Sequence, residues 1–260
     1  MTFPAVHQGV ADALRGGALH LSSFCQFPDA TMVEAMVKTR LDSLLFDMQH
    51  GMFDEAAVLS GIAAAALEGK PVFVRPPVDC GGLTSRLLDF GAAGVVCPMV
   101  NTVEDARRLV GYTRFPPVGA RSWGPRRAIP LSGLSAPDYL AQANGLTLAI
   151  AMIETRQALG NLDEILAVPG IDGVFVGPND LSVSLSGGQV LDSPDVFPAL
   201  DHVAARARAA GKFAGIFAAS PAYATDCIRR GFSFFALMQD AAFLTQAADA
   251  AVAAVRGPAG

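Results

Sequence analysis

The sequence predicts an α/β protein, a (β/α)8 TIM barrel in a single domain. Three observations carry the prediction. Eight short apolar runs alternate with eight helical patterns along 260 residues. The runs are continuously apolar, as strands of a parallel sheet covered on both faces are. The polar residues suited to chemistry fall just after the runs, on the carboxyl-terminal rim where barrel active sites lie.

The elements follow in order. A short helix over about 5–15 precedes a first strand from Ala18 to Phe24. A helix then runs from Asp29 to Thr39, with Met32, Val33, Met36 and Val37 on one face. Strand two, Ser43 to Phe46, ends at Asp47, and an Ala-rich helix from about Asp54 to Leu67 closes at Gly69. Strand three, Pro71 to Val74, runs into Arg75-Pro76-Pro77. A helix around Leu83 to Phe90 leads to strand four, Gly94 to Cys97, and another covers roughly Val103 to Gly111. The beat then pauses in a long segment, about 116–145, with a short helix near Pro137 to Asn144; a connection this long in a compact domain is usually functional or an interface element. Strand five is Leu148 to Ile153, followed by Glu154. One helical pattern through Ala158, Leu159, Leu162, Ile165 and Leu166 leads to strand six, Gly173 to Val176. Helices from about Val196 to Ala209 and from Pro221 to Arg229 flank strand seven, Phe213 to Ile216. Strand eight, Phe234 to Leu237, precedes a final Ala-rich helix over 241–255. An open doubly wound sheet is the structural alternative, but no Gly-x-Gly-x-x-Gly turn follows the first strand.

Composition narrows the function classes. A net charge of -5 gives no basic face for nucleic acid, and no uncharged apolar run reaches the length of a membrane span. The four cysteines show no Cys-x-x-Cys spacing and no secretory signal opens the chain, which predicts reduced thiols in a cytoplasmic protein.

The strand–helix–strand unit from Leu148 to Ser182 is the centre of the chain. In a parallel βαβ unit both strands point the same way, so Glu154 and Asp180 emerge at one sheet edge. Two acidic oxygens there suit a hard divalent cation with positions open for substrate; the alternative for Asp180 is a plain helix cap. Gly177-Pro178-Asn179-Asp180 reads as a turn whose amides suit a carboxylate, although it is also ordinary turn chemistry. His50 is the one histidine of four placed on a rim loop, and Asp47, three residues earlier, is placed to hold its imidazole for proton abstraction; a hydrogen-bonded loop histidine is the alternative. Arg75 ends an apolar strand, where a guanidinium needs an anion, a carbonyl oxygen gaining charge, or an internal ion pair with Asp47 or Glu154.

These residues carry a family resemblance. Asp47-Met48-Gln49-His50-Gly51, Val74-Arg75-Pro76, Cys97-Pro98-Met99-Val100-Asn101-Thr102, Ile153-Glu154-Thr155 and Gly177-Pro178-Asn179-Asp180-Leu181-Ser182 resemble the HpcH/HpaI aldolases. These are class II metal-dependent pyruvate aldolases, akin to 2-dehydro-3-deoxyglucarate and 4-hydroxy-2-oxoheptanedioate aldolases. The resemblance runs from about Leu14 to Val255. It implies a phosphoenolpyruvate/pyruvate-type barrel that binds Mg2+, Mn2+ or Co2+ through Glu154 and Asp180. A pyruvate-like 2-keto acid and an aldehyde are the implied substrates, joined or separated through a metal-bound enolate. Arg75 matches the arginine on the keto oxygen, His50 with Asp47 matches an acid/base dyad, and Asp89 matches an acid reaching a neighbouring subunit's site. The resemblance also implies a homohexamer of dimers that exchange the last helix, whose apolar surface over 241–255 is wider than one barrel needs.

Two departures stand out. Met152 occupies the place of a glutamine in many relatives and lacks its amide hydrogen bonds. Ser22, Ser23 and Phe24 stand where many relatives have a nearby tryptophan, and the roles of Arg121 and Trp123 in the long segment stay open between the mouth of the site and a subunit contact. A Schiff-base mechanism is disfavoured because Lys38, Lys70 and Lys212 are the only lysines and none follows a strand on the rim. The rivals are a citramalyl- or malyl-CoA-type lyase on the same barrel, which would need a surface for the nucleotide, and a non-catalytic metal-binding barrel.

Overall fold

A computed structural model of the chain describes residues 3–257. Eight parallel strands close into a barrel in chain order: β1 (His20–Cys25), β2 (Leu44–Asp47), β3 (Val72–Arg75), β4 (Gly94–Cys97), β5 (Leu148–Ile153), β6 (Gly173–Val176), β7 (Phe213–Ala218) and β8 (Phe234–Gln239), with β8 pairing back onto β1. Alternation along each strand divides the apolar side chains into two cores. Leu45, Phe73, Leu148, Ile150, Met152, Phe175 and Phe234 fill the barrel interior, while Leu44, Phe46, Val74, Ala149, Ala151, Val174 and Val176 face the surrounding helices. Helix α1 (Phe3–Arg15) closes the amino-terminal end, where Val10, Ala11 and Leu14 join the inner core.

The outer ring begins with α2 (Ala30–Val37), α3 (Glu55–Leu67), α4 (Gly81–Phe90) and α5 (Val103–Thr113). Three of their starts are capped by side chains: Asp29 accepts from the Thr31 and Met32 amides, Asp54 from the Ala57 amide, and Thr102 with Asp105 forms a capping box. The long segment folds against this ring as α6 (Ala128–Ser132) and α7 (Ala136–Leu146), two helices where one was expected. Within it Arg121 is buried, pairs with Asp89 at 2.5 Å and lies 4.5 Å from the centre of the Phe115 ring. Trp123 packs beside Phe115 and Tyr139.

The helical pattern after β5 is broken at Asn161 into α8 (Arg156–Gly160) and α9 (Leu162–Ala167). After β6 comes α10 (Pro178–Leu185), at a segment whose sequence suits both a turn and a helix start. Gly177 is its N-cap residue and Pro178 its first helical residue, a position where the missing amide hydrogen is harmless. Helices α11 (Val196–Ala209) and α12 (Pro221–Arg230) complete the ring as expected, and β1, β7 and β8 each reach one or two residues further toward the rim than predicted.

The last helix, α13 (Asp240–Arg256), packs on the barrel only through its first turn. Every residue from 244 to 257 is exposed, including Leu244, Val252 and Val255. Asp240 itself is buried, and its Oδ2 accepts from the Gln26 and Phe27 amides at 2.9 and 3.0 Å, tying the loop after β1 to the start of this helix. No helix among the described residues is long and apolar enough to cross a membrane, and all four cysteines are free.

Candidate active site

The rim residues converge because the register places them side by side. Asp47 and Arg75 are direct partners in the β2–β3 pairing. Arg75 donates Nε to Asp47 Oδ1 at 2.9 Å and Nη2 to Oδ2 at 2.7 Å, a bidentate pair with both side chains nearly sealed from solvent. The guanidinium also lies 4.4 Å from the centre of the Phe24 ring. Its Nη1 makes no hydrogen bond to the described residues, and Arg75 is among the residues that line the cleft.

The Asp47 carboxylate also accepts at Oδ1 from the Gln49 and His50 amides, at 3.1 and 3.2 Å. Asp47 thus holds the backbone of the His50 loop and, at the same time, the Arg75 guanidinium, the internal ion pair that the sequence offers for Arg75. The His50 side chain is exposed at the rim and lines the cleft.

Glu154 and Asp180 meet around Gly177. Ile153 and Val176 pair across β5 and β6, so Glu154 and Gly177, one residue further on, stand next to each other. A Cβ on Gly177 would lie 2.8 Å from Glu154 Oε2 and 3.5 Å from Asp180 Oδ2, so the missing side chain leaves the room that both carboxylates occupy. Asp180 is the third residue of α10, where the helix dipole favours its charge, and it is exposed to the cleft. Glu154 is buried, and its Oε1 accepts from the Met99 amide at 2.7 Å. Met99 takes a left-handed backbone (φ 57°) to aim that amide.

Burial pushes the Glu154 carboxyl above its ordinary range. The Met99 amide and Arg75 oppose the shift, and the neighbouring Asp180 charge adds to it. A buried carboxylate beside a second one, with only one amide and a distant guanidinium in compensation, is a site short of positive charge. A hard divalent ion with water or substrate oxygens in its other positions fits this donor set. No group of three or more acids, histidines or cysteines suited to a metal occurs among the described residues, so such an ion would depend on Glu154 and Asp180 alone.

Phe24, Asp47, His50, Arg75, Met152 and Phe175 line the cleft together with Gly177, Pro178, Asn179 and Asp180. Of the latter four, Gly177 caps α10 and Pro178, Asn179 and Asp180 form its first turn, the helix start that the sequence offers as the alternative for Asp180. Met152 is among the lining residues, so it brings an apolar side chain to the cleft. Asp89 lies outside the cleft, between α4 and the long segment, paired to Arg121. Gln26, Phe217 and Gln239 also line the cleft and were missed. Gln26 and Gln239 share the signal that marked the others, a polar residue at the carboxyl end of a strand, whereas Phe217 lay beyond the predicted end of strand seven.

Comparisons with known proteins identify the family. Residues 21–247 match the model of the family described as HpcH/HpaI aldolase/citrate lyase. The chain is 41% identical over 238 residues to a hydroxypyruvate/pyruvate aldolase of Rhizorhabdus wittichii, covering 91% of this chain and 94% of that protein. It is 38% identical over 218 residues to a 2-keto-3-deoxy-L-rhamnonate aldolase of Klebsiella pneumoniae, covering 84% and 82% of the two chains. Its fold superposes on the crystal structure of an HpcH/HpaI aldolase/citrate lyase family protein from Burkholderia cenocepacia with a TM-score of 0.89 and 31% identity, covering 96% of this chain and all of the other. With the family model, the relatives and the fold in agreement, the chain belongs to the HpcH/HpaI aldolase/citrate lyase family.

Proposed function

We propose that the protein is a class II aldolase that cleaves and forms 4-hydroxy-2-oxo acids by way of a pyruvate enolate. The observation that carries the reading is the meeting of Glu154 and Asp180 around Gly177, in a cleft that the clamped Arg75 also lines. A divalent cation such as Mg2+, Mn2+ or Co2+, held by Glu154 and Asp180, would supply positive charge to the carboxylate and keto oxygens of the 2-keto acid.

In the cleavage direction the C3–C4 bond breaks, its electron pair stays on C3 as the enolate, and the C4 hydroxyl loses its proton as the aldehyde forms. Arg75 serves the oxygen that gains charge. Asp47 fixes its Nε and Nη2, leaving Nη1 as the donor for the keto oxygen, and one such preorganised donor is worth roughly 3–4 kcal/mol in the transition state. His50 stands at the mouth of the cleft and exchanges protons with the C4 hydroxyl and C3 through water, its loop held in place by Asp47. The amides at the start of α10 and the Asn179 side chain face the substrate carboxylate. No lysine competes for a Schiff-base role: Lys70 donates to the Thr39 and Leu41 carbonyls and Lys212 to that of Val168, all in turns that lead into strands at the opposite end of the barrel.

The bare surface of α13 supports assembly as a homo-oligomer, a hexamer of dimers that exchange this helix. Asp89 supports an inter-subunit role through its partly exposed carboxylate beside the long segment. The four free thiols support a cytoplasmic location.

Exchange of the pyruvate methyl protons in deuterated water, followed by NMR, tests the function without any choice of aldehyde. Exchange is expected with added Mg2+, Mn2+ or Co2+. It should disappear in Glu154→Gln, Asp180→Asn and Arg75→Ala and slow strongly in His50→Ala. A parent protein that leaves the methyl protons in place with every one of these metals sinks the reading.

A further inference from the structure

The cleft shares Pro178, Asn179 and Phe217 with a second, adjoining cavity, walled by Leu191, Val196, Phe197 and Tyr223. This wall is built and not incidental. Ser182, fully buried on α10, donates Oγ to the Val190 carbonyl at 3.0 Å and accepts from the Ser193 amide at 2.7 Å, so one hydroxyl braces the loop on both sides of Leu191. Ser186 Oγ accepts from the Val190 amide at 3.2 Å in the same loop. The Arg230 guanidinium lies 5.1 Å from the centre of the Phe197 ring, and Asp201 and Asp226 hold that guanidinium at 2.7 and 2.8 Å. The Tyr223 hydroxyl pairs with Cys227 one turn along α12, which leaves the ring as lining.

The chemistry of the cavity is one-sided. Among the described residues that line it none is cationic, and Asp192 is the one acid. Leu191 and Phe197 nevertheless stand 66% and 43% exposed, so large apolar side chains are kept bare beside a reaction centre. A tail bearing a carboxylate would meet Asp192 and no counter-charge, and a polyhydroxylated tail would leave most of its hydroxyls unpaired.

We propose that this cavity is the acceptor pocket, and that the aldehyde joined to pyruvate carries an uncharged aliphatic or aromatic chain. The inference rests on the aldolase reading above and names its second substrate by class. The carbonyl carbon sits in the cleft between His50 and Arg75, and the chain passes Phe217 to lie against Leu191 and Phe197.

Condensation of pyruvate with acetaldehyde, butanal, hexanal and succinic semialdehyde tests this, with methyl-proton exchange measured on the same parent protein. kcat/KM should rise roughly two- to fourfold for each added methylene up to hexanal, the gain expected for burying one such group. Succinic semialdehyde should fall below butanal. Leu191→Ser and Phe197→Ala should each lower the hexanal-to-acetaldehyde ratio by roughly fivefold, a ratio that cancels any loss of folded protein. Asp192→Lys, an exposed substitution, should raise succinic semialdehyde relative to hexanal. Exchange that proceeds while the aldehyde series is flat, or while succinic semialdehyde outpaces hexanal, overturns the pocket and leaves the aldolase. Absence of exchange in the parent overturns both.

Discussion

Arg75 and Asp47 face each other in register on neighbouring strands and form a two-toothed ion pair that is nearly sealed from water. Such a pair is costly to break from one side, because the remaining charge is left buried without a partner. Asp47→Ala should therefore destabilise the fold by roughly 3–5 kcal/mol. The double replacement Asp47→Leu with Arg75→Met should cost less than Asp47→Ala alone, though it removes activity entirely. Urea unfolding of the three proteins checks the order; equal losses in the single and double variants would show that the pair is not the stabilising unit.

Gly177 is expected to be intolerant of even one added carbon. Its φ of −90° is open to any residue, so alanine there strains no backbone and meets only the two carboxylates. Gly177→Ala should keep the melting temperature within a few degrees of the parent, while Mn2+ binding and pyruvate proton exchange both fall at least about tenfold, the loss typical of disturbed ligand support. Calorimetric titration with Mn2+ reads the first effect directly. Unchanged Mn2+ affinity would separate the carboxylates from the metal.

His20 gives a pH signature unrelated to the site. It is buried at the start of β1, with Nε2 2.8 Å from Ser43 Oγ, and burial lowers its pKa to about 4, helped by Lys70 and opposed by Asp42. The unfolded chain takes up this proton near the ordinary value of 6.5, before the folded one does. The contribution to stability is thus complete above pH 6.5 and is lost as pH falls toward 4. His20→Gln should flatten the parent's decline over that window by roughly 3 kcal/mol, from the size of the shift. Denaturant unfolding at pH 4.5 and 7 in both proteins measures it; parallel slopes would remove His20 as the cause.

Light scattering of the full chain should report a mass well above the 27.0 kDa of one chain. Deletion from Ala241 onward should yield smaller species, because the exposed face of α13 has no other partner in its own barrel. A 27.0 kDa particle at micromolar concentration would refute the assembly.

The barrel was legible because continuous apolar runs such as Leu148–Ile153 have few other uses in a chain this size, and because acids and arginine sat at their ends. Less legible was anything set by a partner distant in sequence. The sequence offers Asp47 both to His50, close along the chain, and to Arg75 as an internal ion pair, and only the strand register shows that Arg75 stands directly opposite it. Helix α10 was hidden because Gly-Pro-Asn-Asp is turn chemistry and also a good helix start, and only Leu181 and Ser182 of that helix are buried. The pairing of Arg114 with Asp172, and its bond to the Thr147 carbonyl at 2.9 Å, lock the amino-terminal end of β5 and β6; no local pattern announces that contact.

Met99 carries a consequence for how this site tolerates change. Its contribution to Glu154 is an amide hydrogen, which every amino acid but proline brings, while its own side chain is 38% exposed. The position therefore selects by handedness and not by side-chain chemistry. Glycine or asparagine, which accept a positive φ, preserve the contact, and valine or isoleucine, though closer to methionine in polarity, pull the amide away from the carboxylate. A conservative replacement at this residue is the disruptive one.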